Sequence, residues 1–170
     1  MGAVIALAAA MRHPERWRSV IVQGFPVLPG RNIPKPLEML ARAVRLFAPG
    51  LRVPSGLAAE DLSHDAAIVQ AYREDPMVQG SVTLSWGVEF LAVLQELREG
   101  AAAITCPLLI LHGEADRIAR AEGSRWLAQA AGAKDKKLVV YPGLKHELHN
   151  ELPAARDAVF AEIAAWLERH

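Results

Sequence analysis

Three short, continuously apolar runs place the strongest constraint on the fold of this chain. They cover residues 19–23, 107–111 and 137–141, and longer segments with helical periodicity separate them. Uninterrupted apolar strands that alternate with helices are typical of a parallel β-sheet covered by helices on both faces. The sequence therefore predicts an α/β fold with about three parallel strands flanked by helices.

An Ala-rich apolar run at residues 2–12 is interpreted as a helix buried on nearly all sides. A secretory leader has a similar length, but it carries Lys or Arg before its apolar run, and none precedes this one. Two further helices are predicted at residues 123–131 and 152–169. The second has Pro153 near its start, where proline is favoured.

The long segment between the first two predicted strands, residues 25–103, contains helical patterns and no convincing strand. Apolar residues recur at helical spacing around residues 37–47 and again around 82–97. An insertion of this kind predicts a helical cap over one end of the sheet. We therefore divide the chain into a first core part at residues 1–24, a helical cap or lid at 25–103, and a second core part at 104–170.

The charge balance and the single cysteine limit the classes of function. The 19 basic and 19 acidic residues give a formal net charge of +0, which argues against general electrostatic binding to nucleic acid. Cys106 is the one cysteine, so an internal disulfide is excluded and a reducing, cytoplasmic compartment is expected. No apolar run is long enough to span a bilayer, and no phosphate-binding or dinucleotide-binding motif is present, so we expect no cofactor.

Two residues that could carry acid–base chemistry follow neighbouring predicted strands. Asp116 comes shortly after the second strand and His146 shortly after the third. Loops at the carboxyl ends of parallel strands meet over one edge of the sheet, so the two side chains could form a hydrogen bond there. Asp116 would then orient His146, which would act as a general base for a nucleophile. The alternative is an Asp in a turn and a His on a surface loop.

A metal site is not predicted in the same segment. His146 and His149 are the only close pair among the six histidines, and one Glu, Glu151, lies near them. Two histidines and one carboxylate on a loop form a weak ligand set. We therefore expect acid–base chemistry here rather than metal binding.

At these residues the chain resembles the C-terminal part of an α/β-hydrolase, most closely the monoacylglycerol lipases and the related serine aminopeptidases and lysophospholipases. The matching segments are residues 72–76, 112–116 and 141–151, separated by a cap of similar length. The resemblance covers essentially the whole chain. It implies a carboxylic-ester hydrolase that uses a Ser-Asp-His triad and an acyl-enzyme intermediate.

The resemblance also assigns roles to individual residues. Asp116 is the acid of the triad and His146 its base. Tyr72 and His149 resemble polar residues around the alcohol end of the pocket for an acyl ester or a monoacylglycerol. A packing Tyr and a surface His are the alternatives for these last two residues.

The nucleophile of the family lies in a Gly-x-Ser-Met-Gly turn between a strand and a helix. Met1 and Gly2 match the last two positions of this turn, so the Ser would come one residue before Met1. The Met1 backbone N–H would then be one donor to the oxyanion. Gly-x-Ser-x-Gly occurs nowhere in the 170 residues, and we therefore expect this chain to be inactive by itself.

Three hypotheses follow for the function. The chain represents a serine hydrolase truncated after its nucleophile, a catalytically dead module that binds lipid or a partner, or one half of a split hydrolase completed by a separate N-terminal half. The coding sequence directly upstream discriminates among them. An in-frame Gly-His-Ser triplet after an apolar strand would support the truncated hydrolase. A separate neighbouring frame that encodes the N-terminal half would support the split hydrolase. If neither is found, the catalytically dead binding module remains.

The cap could contact lipid. Its helix around residues 37–47 carries an apolar stripe, with Lys35, Arg42, Arg45 and Arg52 nearby. A basic amphipathic helix can rest on a lipid surface, which would make the protein peripheral to a membrane. The alternative is a cap helix packed over the active site with ordinary solvated charges.

The first predicted strand could also recruit a partner. In the family, the strand that carries the Ser lies beside it, so its absence would leave an open sheet edge. We expect a complementing half or a second copy of the chain to add there. Without one, Val4, Ile5, Leu7 and Met11 of the first helix would be uncovered.

Overall fold

The computed structural model describes residues 1–27 and 34–170, and residues 28–33 of the predicted cap lie outside this part. The helices are α1 (Gly2–Arg12), α2 (Lys35–Val44), α3 (Ala66–Glu74), α4 (Leu84–Gly100), α5 (Ala121–Ala130) and α6 (Pro153–Arg169). The strands are β1 (Val20–Gln23), β2 (Arg52–Pro54), β3 (Ser81–Thr83), β4 (Leu108–Gly113) and β5 (Lys136–Tyr141). The core elements predicted from the sequence are confirmed, with ends that differ by no more than two residues.

The main sheet is parallel and has the order β1-β4-β5. Val20 pairs with Leu108, and Leu108 pairs in turn with Lys136. Every residue of β4 is buried, because strands flank it on both sides and helices cover both of its faces. This arrangement confirms the predicted parallel strands, and it places the carboxyl ends of β4 and β5 side by side.

Side chains of β4 alternate between two apolar clusters, one on each face of the sheet. Leu108 and Ile110 belong to the cluster that includes residues of α1, α4 and α5. Leu109 and Leu111 belong to the cluster of α6, whose Trp166 is fully buried. Because both faces are packed, the strand gives the loop after it a rigid base.

Helix α1 buries one face, which corrects two expectations. It is not buried on nearly all sides, because Ile5 is 61% exposed, as predicted for an uncovered residue. Val4 and Leu7 are buried and Met11 is half-buried, so these three are not uncovered as predicted. The helix packs on β1 and α4. Within the described residues β1 is an edge strand of its sheet, so no strand lies beyond it to cover the far side of the helix.

The cap contains an antiparallel pair of strands, which contradicts the prediction of a purely helical insertion. Arg52 of β2 pairs with Thr83 of β3, and Val82, which we expected on a helix, lies in β3. Thr83 then begins α4, because its side-chain oxygen accepts a hydrogen bond from the Trp86 N–H at 3.2 Å. Three-residue strands carry too little alternation to be recognised in a sequence.

The first cap helix, α2, is shorter than predicted and ends at Val44, before Phe47. Pro36 occupies its first turn, as expected, and none of its residues is buried. Within the described residues, no helix combines the length and apolar character needed to cross a bilayer.

Candidate active site

Asp116 lies in the turn that follows β4, where backbone groups fix its carboxylate. Its Oδ1 accepts hydrogen bonds from the backbone N–H of Ile118 at 2.8 Å and of Ala119 at 2.9 Å. An Asp that bonds to amides two and three residues ahead is typical of a tight Asx turn. The side chain is fully buried, and Oδ2 is left to accept from other groups.

His146 lies in the loop that follows β5 and meets Asp116 at the carboxyl edge of the sheet. Its Nδ1 is 2.6 Å from Asp116 Oδ2. A carboxylate can only accept, so Nδ1 carries the proton, and Nε2 is the nitrogen that can take a proton from another group. The His146 side chain is 23% exposed, so it can be reached from solvent while its partner cannot.

A second imidazole also contacts the Asp116 carboxylate. His112 Nε2 lies 3.2 Å from Asp116 Oδ2 and 2.9 Å from the carbonyl oxygen of Ala119, so this nitrogen is the donor. His112 Nδ1 then accepts a hydrogen bond from the buried Ser124 hydroxyl at 2.6 Å. The Ala119 carbonyl oxygen, which can only accept, thereby fixes the tautomer of His112, and the Nε2–H of His112 supports the charge on Asp116.

These contacts keep Asp116 ionised in a buried site. Burial raises the pKa of the carboxyl, but the hydrogen bonds from His112 and His146, the charge of His146 and the Ala119 N–H together outweigh it. The pKa of Asp116 therefore lies well below its ordinary value. An anion fixed in this way can hold one tautomer of His146 and stabilise its protonated form.

Sequence reasoning gave no role to His112, although a signal for it exists. His112 and Asp116 are four residues apart in a His-Gly-x-x-Asp segment that begins at the end of the apolar run of β4. A histidine at the end of an apolar strand in the sequence is a candidate hydrogen-bond partner for a polar side chain just after that strand. Ser124 carries no such local signal, since it meets His112 only through the fold.

Residues at the carboxyl end of β1 contact His146 and its loop from the other side. Gly24 has a φ of +59°, and a Cβ at this position would lie 2.8 Å from His146 Cε1. Only glycine allows both this conformation and the close contact with the ring. The Gln23 side-chain amide donates to the His146 carbonyl oxygen at 3.3 Å and to His149 Nδ1 at 3.0 Å.

An open cavity of about 440 Å³ lies beside His146. His149 and Met1 also line it, together with Gly2 at the N-terminal end of α1, so three of the residues singled out from the sequence meet here. Tyr72 is not among its lining residues and lies half-buried on α3. No Ser, Thr or Cys lines the cavity within the described residues.

Cys106 does not line this cavity. Cys106 is buried, and burial raises the pKa of its thiol. In the described part of the chain, no group of three or more His, Cys, Asp or Glu residues is placed to hold a metal ion.

Comparisons with known proteins identify relatives of this chain. Residues 1–153 match the family described as serine aminopeptidase, S33. The chain is 33% identical over 171 residues to a monoacylglycerol lipase of Mycolicibacterium smegmatis, covering 100% of this chain and 60% of that protein. It is 28% identical to the human monoglyceride lipase, covering 99% of this chain and 56% of that protein. The chain thus spans less than two thirds of the length of these relatives.

Solved structures give the same relationship. A crystal structure of the Paleococcus ferrophilus monoacylglycerol lipase superposes with a TM-score of 0.90 at 27% identity, covering 97% of this chain and 64% of that one. A soluble variant of the Saccharomyces cerevisiae monoglyceride lipase, in complex with a substrate analogue, superposes with a TM-score of 0.83 at 24% identity, covering 99% of this chain and 62% of that one. These likenesses confirm the predicted α/β-hydrolase fold.

Proposed function

The chain belongs to the serine aminopeptidase S33 family of α/β-hydrolases, and on that premise we propose that Asp116 and His146 are the acid and base of a Ser-His-Asp triad. The observation that carries this proposal is the 2.6 Å contact between His146 Nδ1 and Asp116 Oδ2 at the carboxyl edge of the sheet. In the proposed reaction, His146 Nε2 takes the proton of a serine hydroxyl and later returns it to the leaving alcohol.

The proposed substrate is an acyl ester, and specifically a monoacylglycerol. Relatives that match nearly all of this chain are named monoacylglycerol or monoglyceride lipases. The cavity beside His146 has room for the reacting ester, and His149 in its wall could contact the alcohol portion. A role for Tyr72 at the same alcohol portion has less support, since Tyr72 does not line the cavity.

The N-terminal end of α1 supports the proposed position of the oxyanion. Met1 and Gly2 lie at the first turn of α1 and line the same cavity as His146. Unpaired backbone N–H groups and the helix dipole favour negative charge at such an end. The Met1 N–H is accordingly proposed as one oxyanion donor.

The nucleophile is proposed to come from polypeptide outside these 170 residues. In the described part of the chain, no Ser lines the cavity. Within the same residues, β1 is an edge strand, and such a strand has backbone groups free to bond to a further strand. A further strand that adds parallel to β1 would end beside Met1 and His146. A complementing half would bring a serine in this way, whereas self-association through the edge would block it.

The test of this proposal is reconstitution. The part of the M. smegmatis relative that this chain does not match is joined in front of Met1, and hydrolysis of a monoacylglycerol is measured. We expect turnover by this reconstituted protein that a serine-directed phosphonate blocks, and no turnover by the 170-residue chain alone. Hydrolysis of a short-chain nitrophenyl ester by the chain alone, abolished by His146→Ala, would contradict the proposal.

Contact between the cap and lipid is proposed as a second property. Five large apolar residues of the α2 region are exposed, and Phe47 is the most exposed at 90%. The other four are Leu37, Met39, Leu40 and Leu46. Since Arg42 pairs with Glu38 and Arg45 with Glu89, apolar burial rather than charge would supply the binding energy.

Vesicle co-sedimentation tests this contact. The chain is expected to sediment with phosphatidylglycerol vesicles in moderate salt, and the double variant Leu46→Ser, Phe47→Ser is expected to lose most of the bound fraction. Burial of two such side chains is worth ~3–6 kcal/mol in total. Leu167→Ser, at an exposed position of α6, is the control and should bind as the parent does. Equal binding by the double variant would contradict the contact.

A further inference from the structure

The loop that carries His146 is held by the cap as well as by the core. Residues 59–65 of the cap, here called the docking segment, run alongside this loop. The His146 N–H donates to the Asp61 carbonyl oxygen at 3.4 Å, and the Glu147 N–H donates to the Leu62 carbonyl oxygen at 2.8 Å. Backbone groups of the cap therefore fix the backbone of the proposed base.

A buried carboxylate lies between the loop and the docking segment. The Glu151 side chain is 1% exposed. Its Oε1 accepts from the Lys145 N–H at 2.8 Å, and its Oε2 accepts from the His64 N–H at 3.0 Å. His64 Nδ1 also lies 3.0 Å from both oxygens. One side chain thus bridges the residue before His146 and the end of the docking segment.

Such a carboxylate is stable only while its donors are in place. Burial raises the pKa of the Glu151 carboxyl, but the N–H groups of Lys145 and His64 and the His64 ring outweigh it, so the pKa lies below its ordinary value. A buried charge that loses its donors pays a large desolvation cost. Separation of the loop from the docking segment would therefore be opposed by Glu151.

Further polar contacts join the docking segment to the His146 loop and the residues after it. The Ser63 hydroxyl donates to the Asn150 carbonyl oxygen at 2.7 Å. The Lys145 ammonium donates to the carbonyl oxygens of Glu60 at 2.7 Å and of Ser63 at 3.0 Å. By comparison, β1 contributes to the loop backbone through the amide of Gln23 at 3.3 Å. The docking segment makes more of the contacts that position this loop than β1 does.

We propose that Glu151 is a positioning residue that fixes the His146 loop to the cap, so that docking of the cap determines the hydrogen bond between Asp116 and His146. This inference rests on the proposed function, because it concerns the geometry of the same pair. Lys145 directly precedes His146. With one acceptor oxygen in place of two at position 151, the N–H of Lys145 or of His64 faces a donor, and the loop with the proposed base shifts away from the docking segment. A displacement of about 1 Å at a reacting group can cost ~10²-fold in rate.

Proton NMR of the 170-residue chain with ¹⁵N-labelled histidine tests the inference. The His146 Nδ1–H, bonded to a buried carboxylate, is expected to give a far-downfield resonance that Asp116→Asn removes. Its loss in His146→Ala assigns it to His146 rather than to His112, whose Nε2 also lies near Asp116. In Glu151→Gln this resonance should move upfield or be lost by exchange with water, while the far-UV circular dichroism stays unchanged. His64→Ala, which leaves the bond from Lys145 to Glu151, should have a smaller effect. Glu168→Gln, the same charge change at an exposed position of α6, should have none.

The possible results separate this inference from the proposed function. An unchanged resonance in a folded Glu151→Gln variant would overturn the positioning role and leave the Asp116–His146 pair intact. Absence of the resonance in the parent chain, or its persistence in Asp116→Asn, would overturn the pair itself. Should Glu151→Gln not fold, the double variant Ser63→Ala, His64→Ala decides. It removes the Ser63 bond to Asn150 and the His64 ring contact with Glu151, and an unchanged resonance in it would overturn the positioning role.

Discussion

Asp116→Asn is expected to lower kcat of the reconstituted protein by ~10⁴-fold. Oδ1 of Asp116 accepts from two backbone N–H groups, so the amide oxygen of Asn would take this position. The NH₂ group would then replace Oδ2 and donate to His146 Nδ1. His146 would carry its proton on Nε2, where it could no longer accept one from a nucleophile.

Steady-state hydrolysis of a monoacylglycerol measures this effect. The matched control is Asp157→Asn, which removes an exposed carboxylate from α6 and should leave kcat unchanged. The same nitrogen of Asn would face His112 Nε2, so a modest loss of stability is also expected. A fall in kcat smaller than ~10²-fold, below the usual range for general acid–base groups, would contradict the role of Asp116.

Gly113→Ala is expected to lower the free energy of unfolding by ~3 kcal/mol or more, at the upper end of what overpacking usually costs. Gly113 ends β4, directly beneath the His146 loop. A Cβ here would lie 2.1 Å from the Lys145 carbonyl oxygen and 2.4 Å from that of Leu144. Both atoms belong to the backbone, so no side-chain rotation can relieve the contact and the loop itself must move.

Urea unfolding followed by circular dichroism measures the change. Gly87→Ala is the control, because a Cβ at Gly87 meets nothing within 4 Å and the residue lies inside α4. Alanine is the better helix former, so this control should gain ~0.5–1 kcal/mol. Equal free energies of unfolding for Gly113→Ala and the parent chain would show that the loop does not pack against β4 as described.

The sequence predicts the core of this protein well for a physical reason. Strand β4 is buried on both faces, so it reads as a continuous apolar run, and β1 and β5 share much of this character. Polar residues just beyond such runs must lie at the carboxyl edge of the sheet. The proximity of Asp116 and His146 could therefore be predicted from the order and spacing of these two residues alone.

The remaining features depend on contacts between distant residues, which leave no local pattern. His64 and Glu151 are 87 positions apart, and nothing near either one indicates the other. A side chain at Gly24 is excluded by the ring of His146, which lies on another element. Exposure of Ile5 follows from the edge position of β1 and not from the composition of α1.

The central claim is that Asp116 and His146 serve a serine supplied from outside these residues. The most direct test compares His146→Ala with His149→Ala in the reconstituted protein. We predict that the parent hydrolyses a monoacylglycerol, that His146→Ala loses about six orders of magnitude in kcat, and that His149→Ala keeps most of kcat with a raised KM. Hydrolysis by His146→Ala at the rate of the parent would contradict the account.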